Sequence, residues 1–327
     1  MYSVLEFQGS REEYEAILAL NRMVSPDSRG ETVDELMEEE ANWPADKLFK
    51  RFVVQTDGEV VAAGVCFEAY WEFKAGTVHL HFEINPEHSA EQILPALYAS
   101  IIEFLKRRDE TVLCLACGMS EEDGARVQFL KERGYEKVMG WVSSELPVAE
   151  LDLGGFGPVT EQVALAGIRI VTLRQLKELE PDWKRKLRDL RYALHCDVPS
   201  PDPATKPSLS EFEEMVLRDP ALVEDAFFVA LAKDSFLVGM SNVWRNDVTG
   251  KRLDAGLTGV ERSFRRKKIA TALKIHTIRY AQAAGAETIS TRNEEKSVML
   301  KLNLALGFEP GPAWLSLRKT IDTHIGC

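Results

Sequence analysis

Residues 256–274 read Gly-Leu-Thr-Gly-Val-Glu-Arg-Ser-Phe-Arg-Arg-Lys-Lys-Ile-Ala-Thr-Ala-Leu-Lys. The order is a strand end, a basic turn and the start of a helix. The first amides of a helix have no intrahelical acceptor and carry the positive end of the macrodipole, so a diphosphate placed there satisfies both. Five cations, Arg262, Arg265, Arg266, Lys267 and Lys268, crowd this turn in a chain whose formal net charge is -12. Anion binding needs local rather than global positive potential, and here it is concentrated. The plain alternative is a solvated, charged helix start.

Working outward, apolar periodicity predicts a strand over 252–260, a helix over 267–284, a strand over 287–292, a helix over about 296–306, Gly307-Phe308, and a final strand to Lys319. Upstream come a strand over 168–173, a long helix from Arg174 to about His195, a helix capped by Ser208 and Glu211, and a hairpin of 227–231 with 236–244 around Lys233-Asp234. The first half repeats this order. It has helices from Ser10 and Thr32 with Glu13 and Glu35 at capping-box spacing, strands over 52–56 and 60–70 joined at Asp57-Gly58, and a strand over 77–84. A helix to about Arg107, a strand over 111–117, a short helix over 121–133, and a strand to about Glu145 follow. Ile84 and Val260 stand 176 residues apart, and Gly134 and Gly307 stand 173 apart, so duplication accounts for both halves. The glycine-rich 151–166 reads as a linker between domains at 1–150 and 167–327. The expected class is α/β (α+β), with each half a mixed, largely antiparallel sheet flanked by helices.

A length of 327 residues with 45% hydrophobic and 28% charged content suits two ordinary globular domains. No stretch reaches the roughly 18 apolar residues of a membrane span, and the N-terminus lacks a basic region followed by an apolar run, so the expected location is cytoplasmic, away from membranes. Five scattered cysteines, Cys66, Cys114, Cys117, Cys196 and Cys327, read as reduced thiols. The acidic balance argues against nucleic acid as a partner.

The segment 256–274 resembles the acetyl-CoA motif of the GNAT superfamily of N-acetyltransferases, Gln/Arg-x-x-Gly-x-Gly/Ala after a strand ending in Val; Arg265 and Ala270 match, and Lys268 replaces the middle glycine. If that position needs positive φ, Lys costs about 1–2 kcal/mol, and its side chain is expected to point outward. A second stretch, 291–308, is similar to the family's Asn-bearing strand, helix and Leu-Gly-Phe turn through Asn293, Met299, Asn303 and Gly307-Phe308, with Ser297 standing for its second Asn. The resemblance implies tandem GNAT-like domains and acetyl-CoA as cosubstrate, held by Thr258, Val260, Arg265, Arg266, Lys267, Lys268, Ile269, Ala270, Thr271, Asn293 and Asn303. Asn293 can offer its amide to pantetheine; Asn303 can do the same or orient a buried backbone group. Gly307 reads as the terminator of its helix. The N-terminal copy keeps the order but not the motif: 84–94 lacks the glycines and cations, and Glu87 and Glu91 would repel phosphate, so it reads as degenerate.

The implied reaction is acetyl transfer to a primary amine of a small molecule or peptide, which needs a base, a polarised carbonyl and a proton for the departing thiolate. Asp254, six residues before Val260, is the candidate base, or else an ion-pair partner of Arg252; the Val260 backbone N–H is the candidate donor to the thioester carbonyl. Asn303 stands where the family often has a Tyr acid, so the proton source is unassigned, and a non-catalytic acyl-CoA-binding or regulatory protein is the alternative. His79-x-His81-x-Glu83 reads as an exposed polar strand face or a metal set, with no metal expected. Cys114 and Cys117 point to opposite strand faces, and Glu38-Glu39-Glu40 reads as a solvated helix end or an attractor of a cationic acceptor. The oligomeric state has no signal in the sequence.

Overall fold

The structure, a computed structural model, describes residues 2–24, 32–71, 74–247 and 249–321; Cys327 lies outside them. Two compact units emerge, one of Met1–Trp141, Pro201–Pro203 and Pro312–Cys327, the other of Val142–Ser200 and Ala204–Gly311. They are not the consecutive stretches 1–150 and 167–327 of the linear reading.

The first unit begins with β1 (Ser3–Glu6), α1 (Arg11–Val24) and α2 (Val33–Ala41), followed by β2 (Phe49–Thr56), β3 (Glu59–Phe67) and β4 (Thr77–Ile84). After these come α3 (Ala90–Lys106), β5 (Cys114–Ser120), α4 (Gly124–Lys131) and the start of β6 (Glu136–Pro147). Both capping boxes are made: Ser10 and Glu13 exchange side-chain and backbone bonds ahead of α1, as Thr32 and Glu35 do ahead of α2. Such caps are worth about 1 kcal/mol each. Asp57 and Gly58 take φ of 51° and 87°, the two positive values a two-residue hairpin turn requires. The strand order is β1-β2-β3-β4-β5-β13, antiparallel except for β4 beside β5. Its last member, β13 (Glu309–Thr320), comes from the far end of the chain and pairs antiparallel with β5 from Trp314↔Ser120 to Thr320↔Cys114. The core lies between this sheet and α3, around Leu80, Ile93, Leu97, Ile101, Leu115 and Leu317. Glu40 is not solvated: it accepts from Tyr14 Oη and pairs with Arg51, both side chains of that pair being about nine-tenths buried.

In the second unit, a helical turn at Gly154–Phe156 and α5 (Gly157–Leu165) occupy the stretch read as a linker, with Val163 buried. Pro158 at the start of α5 suits a helix's first turn as well as it suits a loop. β7 (Arg169–Thr172) leads into α6 (Leu173–Leu179) and α7 (Trp183–His195), where the sequence reading had one helix; Pro181 cannot continue it. Next come α8 (Leu209–Phe212), a π-turn over Glu213–Leu217, β8 (Leu222–Leu231), β9 (Leu237–Arg245), β10 (Arg252–Ala255), β11 (Gly259–Val260), α9 (Ile269–Ala283), β12 (Thr288–Glu294) and α10 (Val298–Ala305). The order is β6-β12-β10-β9-β8-β7, with β11 on β9. Its pairs are antiparallel from β7 to β10, and β10 runs parallel to β12. One face of the sheet packs on α6 and α7 through Leu176, Leu187, Leu190, Phe227 and Met240; the other carries Leu273, Ile278, Ile289, Phe308 and Leu146. Among the described residues no helix is long and apolar enough to cross a membrane.

Candidate acyl-transfer site

The strand predicted over 252–260 is broken. Ala255 pairs with Val243 and Gly259 with Met240, so four steps on one strand oppose three on β9. The extra residue makes a bulge at Gly256–Thr258, which bends the strand and ends its pairing. A side chain at Gly256 would bring Cβ within 2.5 Å of Asn242 Nδ2 and Trp244 Nε1, so only glycine fits. Thr258 Oγ1 lies 2.8 Å from Ser241 Oγ, which ties the bulge to β9.

Past this point the parallel partner is lost as well. β10 and β12 pair through Asp254↔Ser290 and no further, and β11 pairs only with β9, leaving the end of β12 splayed away. The Glu261 N–H donates to the Val238 carbonyl at 2.8 Å. Successive amides in an antiparallel pair point alternately toward and away from the partner, so the Val260 N–H points away from β9, into the splay. Val260 itself is buried, and its carbonyl accepts from Arg265 Nε at 2.9 Å.

The basic turn closes onto α9 through two left-handed residues, Arg266 with φ 64° and Lys268 with φ 59°. Such backbone costs a non-glycine residue about 1–2 kcal/mol, and here it ends on Lys268 as a helix cap with no side-chain capping bond. The Ile269, Ala270 and Thr271 amides that follow are the first of α9 and lack i−4 carbonyls within it. Lys268 is exposed, with Nζ 3.3 Å from Gln162 Oε1 of α5; Lys267 Nζ lies over the Phe264 ring. Two of the five cations already have a carboxylate. Asp197, just after α7, accepts from Arg262 Nε at 3.0 Å, from Arg262 Nη2, and from Arg265 Nη2. These bonds, Arg262's first, hold its carboxyl below the ordinary value against the opposing effect of burial. Nothing local in the sequence marks Asp197, which lies 65 residues before Arg262.

Asp254 is half-buried and accepts from Asn246 Nδ2 at 2.9 Å. Burial raises its pKa, opposed by that bond and by Arg292. Its neighbours Leu253 and Ile289 face the α9 side, so alternation puts Asp254 and Ser290 on the α7 side, and Ser290 Oγ lies 3.5 Å from Glu145 Oε1. Asn303 on α10 is fully buried, and its Nδ2 donates to Asn293 Oδ1. Ser297 caps α10 by accepting from the Leu300 N–H at 3.1 Å. The cation-rich turn, bulge, splay and both asparagines all lie in the second unit. In the first unit, the stretch between β4 and α3 carries Glu87, whose N–H bonds Asn85 Oδ1, and no cation.

The bulged strand, the splay from its parallel neighbour and the start of α9 lie within one stretch of similarity to known proteins. Residues 187–301 match the Acetyltransferase (GNAT) family. The chain is similar over 98% of its length, and 98% of the other's, to a tandem GNAT protein from the clavulanic acid biosynthesis pathway, solved without AcCoA (17% identity, TM-score 0.70). It is also similar to a GCN5-related N-acetyltransferase from Sphaerobacter thermophilus (15% identity, TM-score 0.66, 99% and 98% covered). A third likeness is to a fungal glucosamine N-acetyltransferase region within a β-N-acetylglucosaminidase (11% identity, TM-score 0.69, 98% of this chain and 38% of that one). No curated protein sequence matches the chain. Residues 187–301 thus carry the GNAT family match, and the chain as a whole shares the fold of a tandem GNAT protein.

Proposed function

We propose that the second unit binds acetyl-CoA at the turn 262–271 and transfers its acetyl group to a primary amine of a small molecule or peptide. The observation that carries this reading is the Val260 N–H, directed into the splay between β11 and β12 beside the open amides of α9. That N–H would polarise the thioester carbonyl, the Ile269–Thr271 amides with Arg265, Arg266, Lys267 and Lys268 would meet the diphosphate, and Asn293 would meet pantetheine. Asp254, held by Asn246, would take a proton from the acceptor ammonium, directly or through water. Thr258 and Asn303 would shape the cleft through their bonds to Ser241 and Asn293.

A second reading, an acyl-CoA-binding protein without turnover, is favoured by Asn303, an amide that cannot supply a proton. Calorimetric titration with acetyl-CoA, followed by thiol release over a panel of primary amines, separates the two. Binding with release supports transfer, binding without release for any acceptor supports the second reading, and no binding refutes both.

A further inference from the structure

Lys274 lies on α9 and is 3% exposed. Among the described residues no carboxylate pairs with it; its ammonium lies 5.1 Å from the centre of the Phe308 ring. A buried ammonium without a counter-ion is a heavy burden on a fold, and an apolar side chain would fill this place at less cost. Helical spacing sets Lys274 on the stripe of Ala270 and Thr271, one turn beyond the amides assigned to the diphosphate, with Ile278 a turn further on.

A chain of contacts links it to the splay. The Phe308 N–H donates to the Asn303 carbonyl at 3.1 Å, and Asn303 Nδ2 donates to Asn293 Oδ1 at the end of β12. Among the described residues Asn303 Oδ1 is buried with no hydrogen-bond partner. A buried polar atom left unpaired calls for a partner, and a polar ligand can supply it.

We propose that Lys274 is the acid that protonates the sulfur leaving the thioester. The assignment rests on the acetyl-transfer reading. The amine nitrogen forms its bond to the carbonyl carbon and gives up a proton, the C–S bond breaks, and the sulfur electron pair takes a proton from Lys274 Nζ. Solvent then restores the ammonium. Burial, the one cause acting on it, lowers its pKa to about 8, and Phe308, Asn303 and Asn293 are uncharged. A free thiol ionises near 8.5, so the transfer is closely matched.

The test uses the full chain and CoA itself, following the ultraviolet absorbance of the bound thiolate against pH in wild type and Lys274→Met. The ammonium should make the bound thiol about tenfold more acidic in wild type than in the variant. Turnover of Lys274→Met should fall by roughly tenfold or more while its Kd for acetyl-CoA stays within about threefold. Lys274→Gln carries the same expectations should the Met variant fold poorly. Identical thiol titrations, or a loss in turnover matched by an equal loss in affinity, would overturn the assignment alone. Wild type that fails to bind CoA overturns the acetyl-transfer reading and this with it.

Discussion

Asp197→Asn should tighten acetyl-CoA binding. The carboxylate engages both Arg262 and Arg265 at the mouth of the anion-binding turn, so a phosphate arriving there competes with a resident anion. Arg262 is 77% exposed and Arg265 43%, which places the exchange near solvent, where an effective dielectric between about 40 and 80 applies. A carboxylate about 6 Å from one phosphate charge then repels it by roughly 0.7–1.4 kcal/mol, and a diphosphate doubles this before salt at about 0.15 M screens much of it. The net gain expected is about 1 kcal/mol, or roughly fivefold in Kd. Arg265 keeps its bond to the Val260 carbonyl, so losing the Asp197 charge does not set it adrift. Calorimetric titration of wild type and Asp197→Asn at low and high salt is the assay, and the advantage should shrink as salt rises. Weaker binding by the variant would refute the reasoning, because Asp197 would then be holding the guanidinia in place for the ligand rather than competing with it.

Asp254→Asn should lower turnover about tenfold or more with little change in acetyl-CoA affinity, and the deficit should narrow as pH rises and the amine loses its proton unaided. Burial raises the Asp254 pKa, so wild-type activity should fall with decreasing pH at a point above the ordinary carboxylate value, a limb missing in the variant; a flat profile in both leaves Asp254 a structural residue. Lys268→Gly should raise thermal stability by about 1 kcal/mol, since it relieves left-handed backbone at a cap position where glycine is tolerated, and it should change acetyl-CoA affinity by less than about tenfold. A lower melting temperature, or abolished binding, contradicts it.

Much of the secondary structure was legible because it is locally encoded. The Ser10, Thr32 and Ser208 boxes start helices where their spacing says, and the Asp57-Gly58 turn joins β2 to β3. The sheet over 77–84 also agrees with its alternation. What escaped depends on neighbours distant in sequence. The bulge at 256–258 is set by β9, because Gly256 is required only once Asn242 and Trp244 approach it. Asp197 joins the site through folding alone. Lys274 does leave a trace, a charge between Leu273 and Ile275 inside an apolar helical pattern, yet charge at one helix position reads equally as a solvated face until burial is known. The linker reading weighed glycines and overlooked that Pro158 and the residues after it suit a helix. The pairings of β6 and β13 were invisible, since strand residues specify which face is buried but not which sequence-distant edge they join.

That last pairing bears on how the chain is made. β5 gains β13 as its neighbour only when residues 312–320 have been synthesised, long after β5 itself. Until then the first unit leaves the ribosome with β5 as an open edge and without Leu315 and Leu317 in its core. Completion of the first unit therefore waits for β13, and deleting residues 312–320 would strike the unit that carries β1.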